Sequence, residues 1–261
     1  LENYQMSYHV GIGLYKFHSL CSDIDCSKIV QSIKNFHNTN YYIDQYLITI
    51  ADVDLINFEE GLSKRIQSLT YKFSKHIKYL EYIFNFLSEK SIDRNVIHGD
   101  PKLSNFLFDK KHKYVVSIVD LDTISSGFLL TDLADCIRSI CNLTGEEDAD
   151  HGNVCFDANS FDYFLKGYFS LNDNYNHHLF EYLPEFIYII ILELTIRFLT
   201  DFLQSNRYFK VNYKTQNLLR AEVQYRLLCS FLSQMPDLSR RLKEIGINSN
   251  STFVSDVGTL I

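Results

Sequence analysis

Residues that turn or break a chain are scarce here: 10 Gly and 3 Pro in 261 residues. Many short strands need frequent turns, so so little punctuation predicts long helices. The clearest one spans 59–90, where Leu62, Ile66, Leu69, Phe73, Ile77, Leu80, Ile83, Phe84 and Leu87 recur at helical spacing. Lys64, Arg65, Lys72 and Lys75 read as its solvated face. Further helices are expected over 4–20, 25–36, 160–169, 181–204 and 217–232. The longest apolar run, Phe186 to Leu192, lies between Glu185 and Glu193. It is too short to cross a bilayer and reads as a core helix. Gly11 and Gly13 form a G-x-G inside the first helix. With no third Gly and no preceding strand, this pair reads as a helix packing point, not a phosphate loop.

Residues 96–120 differ in character. Val96-Ile97 is β-prone, Phe106-Leu107-Phe108 is apolar, 109–113 is a polar turn, and Val115 to Val119 is rich in β-branched residues. This pattern predicts a loop followed by a hairpin. Residues 41–57 are mixed, and 144–154 form a polar loop. The expected fold class is therefore mostly α with a small β-hairpin region (α+β). The expected division is one unit over 1–245 and a Ser/Asn-rich polar tail over 246–261.

With 46% hydrophobic and 22% charged residues, the chain can bury a sizeable core. Its net charge of −7 disfavours a nucleic-acid polymer or an anionic membrane as partner. The six cysteines, Cys21, Cys26, Cys136, Cys141, Cys155 and Cys229, include no C-x-x-C pair, so a zinc ribbon is not expected. They read as free thiols in a reducing compartment. No signal-peptide or basic amphipathic pattern is seen at the start, so a cytoplasmic location is expected.

The chemistry concentrates in 97–122. Ile97-His98-Gly99-Asp100-Pro101-Lys102-Leu103-Ser104-Asn105 has the spacing H-x-D-x4-N, and Asp120 follows fifteen residues later on an apolar flank. From the chain's own His, Asp and Asn counts, that spacing arises by chance about 0.05 times. Phosphoryl transfer to a hydroxyl needs one carboxylate to orient the hydroxyl and take its proton. It also needs hard oxygen ligands to hold Mg²⁺ on the phosphates. Asp100 fits the first role; Asn105 and Asp120 fit the second. Lys102 is placed to neutralise charge on the transferred group. His98 is expected to brace the loop backbone.

HGDPKLSNFLFD followed by VSIVDLDT resembles the aminoglycoside phosphotransferase and choline kinase superfamily, which shares the protein-kinase-like fold. Residues 128–139 (FLLTDLADCIRS), 35–39 (NFHNT), 197–211 (RFLTDFLQSNRYFKV) and 217–228 (NLLRAEVQYRLL) look like the bacterial N-acetylhexosamine 1-kinase branch. The resemblance covers roughly residues 5–235. It implies Asp100 as catalytic base, Asn105 and Asp120 as magnesium ligands, and ATP with Mg²⁺ as nucleotide and cofactor. It also implies a small hydroxyl substrate, with an N-acetylhexosamine favoured. Asp122 is a further substrate-side candidate. Asp132 and Asp135 are expected to anchor the loop from a helix start, with Asp135 pairing Arg138. Arg197 either reaches the sugar or pairs with Asp201 one turn on. His37 either faces a sugar hydroxyl or belongs to an ordered loop.

The superfamily's N-terminal lobe, with its nucleotide-covering loop and phosphate-gripping Lys, has no counterpart before residue 4, and residue 1 is Leu. The expectation is a C-terminal lobe alone, turning over poorly by itself. Two other readings stand beside the sugar kinase. One is a choline- or aminoglycoside-type kinase, whose cationic acceptor calls for acidic or aromatic walls. The other is a non-catalytic pseudokinase or binding module.

Overall fold

The computed structural model describes residues 2–90, 92–111, 114–148, 151–171 and 180–247. Helices α1 (Glu2–Cys21), α2 (Thr39–Asp52) and α3 (Glu60–Ser88) come first. Strands β1 (Asn95–Ile97), β2 (Phe106–Phe108), β3 (Val115–Ile118) and β4 (Ser125–Gly127) follow. The chain then returns to helix with α4 (Leu129–Ile140), α5 (Ala158–Phe169), α6 (Leu183–Leu203), α7 (Gln216–Ser233) and α8 (Met235–Glu244). This is the expected α+β class.

The centre of the molecule is α6. It is buried on nearly every side from Leu183 to Leu203, as an all-round apolar helix must be. It packs on α2, α3, α4 and α7. Beside it, α1 and α5 meet backbone to backbone: a Cβ on Gly11 would overlap the Phe164 carbonyl, and one on Gly167 would overlap the Tyr8 carbonyl. The Gly11 packing point is therefore real. Gly13 in turn lies under Val115 of β3. On α3, six of the nine predicted seam residues (Ile66, Leu69, Phe73, Leu80, Ile83, Leu87) are buried, Leu62, Ile77 and Phe84 are partly buried, and the four named cations are exposed.

The strands form two antiparallel pairs, not one hairpin. The predicted hairpin is β2–β3, with Phe106 opposite Ile118 and a bulge between Leu107 and Phe108. The second pair, β1–β4, sets Ile97 opposite Ser125. Ser125-Ser126-Gly127 carries no apolar alternation, so sequence gave no sign of that strand.

Three helical expectations change. Residues 25–36 make only a 3₁₀ turn, Cys26–Lys28, because Asp25 accepts the Ser27 N–H (3.1 Å) and hydroxyl (2.6 Å). Asn35 and His37 then adopt left-handed φ of 60° and 56°, which no helix continues through. The mixed stretch 41–57 contains α2, capped by Asn38 accepting from the Tyr41 N–H. Residues 235–244, given no element, form α8 behind Pro236. Beyond α8, Gly246 (φ 84°) lets Ile247 fold back and donate to the Leu242 carbonyl at 2.9 Å. Ile247 is fully buried, so the packed unit extends past 245. The rest of the predicted tail lies outside the described residues.

Candidate active site

The loop from His98 to Asn105 leaves β1 and returns into β2. Gly99 sits at φ 85°, and a Cβ there would lie 2.5 Å from the Thr123 carbonyl oxygen, so only glycine fits. Asp132, near the start of α4, is wholly buried and holds this turn. Its Oδ2 accepts the His98 N–H (2.7 Å) and its Oδ1 the Gly99 N–H (2.8 Å). His18 of α1 meets the same carboxylate through Nε2 at 2.9 Å and Tyr168 of α5 through Nδ1 at 2.8 Å. The α1–α5 seam therefore supports the loop from beneath.

His98 braces the other side. Its Nε2–H donates to the Val119 carbonyl (3.0 Å), and its Nδ1 accepts the Asp100 N–H (3.3 Å). Thr123 donates its hydroxyl to the His98 carbonyl at 2.8 Å. The loop is thereby tied to the segment carrying Asp120. Asp120 itself has φ 67°, a left-handed conformation that costs a non-glycine residue about 1–2 kcal/mol. The bonds at Val119 and Thr123 hold it there.

These restraints bring Asp100, Lys102, Asn105 and Asp120 together. Asn105, buried, donates Nδ2 to the Asp100 carbonyl (2.8 Å) and lies 3.4 Å from Asp120 Oδ2 and 3.5 Å from Asp100 Oδ2. Lys102 pairs with Asp100 and lies 3.9 Å from Asp120. Burial, helped by the charge on Asp135, pushes the Asp100 carboxyl above its usual range against the pull of Lys102. Burial opposes charge on Lys102, but Asp100, with Asp135 and Asp120 behind it, raises its pKa overall. The cluster is thus short of positive charge.

Among the described residues no group of three His, Cys, Asp or Glu side chains is spaced to enclose a metal alone. The donors present suit Mg²⁺ shared with phosphate oxygens and water. The bond from Nδ2 fixes the Asn105 amide so that Oδ1 remains an acceptor, and the Asp120 carboxylate is half exposed. The residues fit the ion.

Asp100 and Lys102 stand at one wall of a cavity of about 450 Å³, whose lining includes Asp122, Asp135, Arg138, Arg197 and Lys210. Asp122 is exposed at its rim. Arg138, fully buried, donates Nε to Asp135 Oδ1 (2.8 Å) and Nη1 to Glu146 Oε1 (2.9 Å). Burial opposes its charge, but the two carboxylates more than offset this and push its pKa upward.

The far wall departs from expectation. Arg197 does not pair with Asp201; its nearest carboxylate is Glu193, at 4.0 Å. Its guanidinium sits among four rings, 4.9 Å from Tyr42, 5.0 Å from Phe36, 5.5 Å from Phe209 and 5.7 Å from Tyr208. Asp201 instead accepts the N–H groups of Tyr208 (2.7 Å) and Phe209 (3.0 Å) and the Asn217 amide (2.8 Å), fixing the turn that carries two of those rings. His37 lines the cavity, but both its nitrogens are engaged, Nδ1 with Glu193 Oε1 (3.1 Å) and Nε2 with the Gly99 carbonyl (2.6 Å). No N–H is left to meet a sugar hydroxyl. Sequence reasoning missed Thr123, Glu193, Tyr208 and Phe209. The available signal for Glu193 was an acid closing the apolar run Phe186–Leu192 within a core helix.

The described residues form a mostly helical α+β unit with two antiparallel strand pairs. Residues 56–157 match the model of a phosphotransferase enzyme family, and that span contains Asp100, Lys102, Asn105, Asp120, Asp132 and Arg138. The whole fold resembles a crystal structure described as a choline/ethanolamine kinase family protein from Mesorhizobium loti. The TM-score is 0.52 at 16% sequence identity, over 92% of this chain and 65% of that one. At that identity the likeness establishes the fold. The chain spans 65% of that protein's length. No helix among the described residues is long and apolar enough to cross a membrane.

Proposed function

We propose that this chain carries the phosphotransferase centre of an ATP- and Mg²⁺-dependent small-molecule kinase. The observation that carries the reading is the convergence of Asp100, Lys102 and Asp120 on one wall of the 450 Å³ cavity, with the buried Asn105 amide beside them, 3.4 Å from Asp120 Oδ2. Mg²⁺, held by Asn105 and Asp120, would neutralise the nucleotide's phosphate charge. Asp100 orients the acceptor hydroxyl and takes its proton as the oxygen bonds to the γ-phosphorus and ADP departs. Its raised pKa brings it closer to neutral pH, where a general base works best. Lys102, released from Asp100, faces the transferred group. His98, Asp132 and Thr123 hold the loop still, so little reorganisation accompanies reaction.

The favoured acceptor is the anomeric hydroxyl of an N-acetylhexosamine, giving a sugar 1-phosphate. The cavity walls alternate acidic and basic groups, which suits a polyhydroxylated ligand. The name of the structural neighbour favours a choline- or ethanolamine-type acceptor instead. Against that, the aromatic cluster where a quaternary ammonium would be caged already holds Arg197. Free thiols suit a reducing, cytoplasmic setting. The test is ADP formation with Mg²⁺ and ATP over N-acetylhexosamines, choline, ethanolamine and an aminoglycoside. Acceptor-dependent ADP with a hexosamine supports the reading. Turnover only with an amino alcohol moves the acceptor, and Asp100→Asn retaining full turnover sinks the mechanism.

A further inference from the structure

The loop carrying Asp100 is held from beneath by Asp132, but its Gly99 carbonyl points the other way, toward His37. His37 Nε2 lies 2.6 Å from that oxygen and Nδ1 lies 3.1 Å from Glu193 Oε1. Both partners are pure acceptors, so both ring nitrogens must donate, and only the imidazolium does that. The ring is nearly enclosed, the Glu193 carboxylate is 2% exposed, and Thr39 donates its hydroxyl to the second Glu193 oxygen at 2.8 Å. The backbone of His37 is left-handed at φ 56°, a strained conformation kept by its surroundings.

We propose that His37 is a positioning residue: as an imidazolium it struts the Gly99 carbonyl against Glu193 and thereby fixes the peptide that orients Asp100. This rests on the phosphotransferase reading for its consequence in catalysis, but not for the strut itself. The ring also separates two spaces. Phe36, His37, Ile190 and Glu193 line both the 450 Å³ cavity and a larger one of about 690 Å³ on the opposite side. Loss of the strut would free the Gly99–Asp100 peptide and weaken the partition together.

The charged groups around the ring agree on its protonation. From α6 come Glu193 and, beyond it, Arg197; from α4 comes the charge of Asp135; Lys90 and Arg94 line the larger cavity. Burial opposes charge on the ring, but the Glu193 carboxylate, the Gly99 carbonyl and Asp135 outweigh it and raise the His37 pKa. Burial likewise opposes charge on Glu193, and His37 and Arg197 bring its pKa down. A raised folded-state pKa means the strut is fully present below the ordinary histidine value of about 6.5. It is lost as pH rises through the raised value.

The test is NMR on the whole chain with labelled histidine and backbone, joined to kinetics with Mg²⁺·ATP and the acceptor that turns over. We expect both His37 nitrogens to be protonated at pH 6. The Asp100 amide nitrogen, bonded to the Gly99 carbonyl carbon, should shift with the His37 midpoint. Glu193→Gln, which keeps the ring and most of the packing, should lower that midpoint by about one pH unit or more. His37→Gln should lower kcat roughly 10- to 100-fold with KM for Mg²⁺·ATP unchanged, and abolish the fall in kcat that accompanies His37 deprotonation in the wild type. A neutral His37 tautomer at pH 6, or an Asp100 amide indifferent to the His37 titration, overturns the strut. A correct NMR signature in a wild-type chain that neither turns over any acceptor nor binds Mg²⁺·ATP would support the strut while removing the phosphotransferase reading.

Discussion

On one wall of the cleft, the Asp132 carboxylate takes the backbone N–H groups of His98 and Gly99. On the other, Asp201 takes those of Tyr208 and Phe209, while Glu193 takes His37 and Thr39. The same device, a buried helical carboxylate gripping a loop, builds both walls. They differ in reach. The first wall is assembled within 98–135, and its helper His18 comes from the neighbouring seam. The second joins segments near 37, 193 and 208. The first grips a loop by its backbone, so its sequence can be strict about spacing. The second adds to its backbone grip on 208–209 the side-chain contacts of Glu193 with His37 and Thr39, far apart in the chain, where no spacing rule applies.

The largest effect that would sharpen this contrast is at Asp100. Asp100→Asn should cut phosphoryl transfer by about 10²–10⁴-fold in an ADP-coupled assay, with the fold intact by circular dichroism. Asp132→Ala strands two backbone donors and His18, and should destabilise the chain by about 3–5 kcal/mol in urea unfolding. If it costs no more than a surface change, the first wall is not held as described. Gly167→Ala drives a methyl into the Tyr8 carbonyl and should cost about 1–3 kcal/mol, measured the same way, by prying α1 and His18 off the loop. Lys64→Ala, on the exposed face of α3 and paired with exposed Glu60, should change stability by less than about 0.5 kcal/mol. That last value sets the floor against which the others are judged.

The same contrast explains what the sequence could disclose. The 98–122 stretch was legible because its residues act within one loop and one hairpin, so their order is nearly their geometry. The α3 seam and the buried α6 run were legible from period and length. Helix α2 was not, since its Tyr- and β-branched-rich surface carries a weaker periodic contrast, although Ile43 and Tyr46 are buried on one face. The 25–36 stretch looked helical but Asp25 diverts its backbone into a capped turn. Arg197 and Asp201 sit one turn apart and invited pairing. Each found a stronger partner from another segment, rings for the guanidinium and backbone N–H groups for the carboxylate. Residues four apart on a helix can meet, but tertiary partners decide whether they do.

The most direct measurement replaces Mg²⁺ by Mn²⁺ in the presence of ATP and follows paramagnetic broadening across the labelled chain. The account predicts selective loss of the Asn105 side-chain amide and of backbone signals around Asp120 and Asp100, relieved by Asp120→Ala. Broadening centred elsewhere, or undiminished by Asp120→Ala, would contradict it.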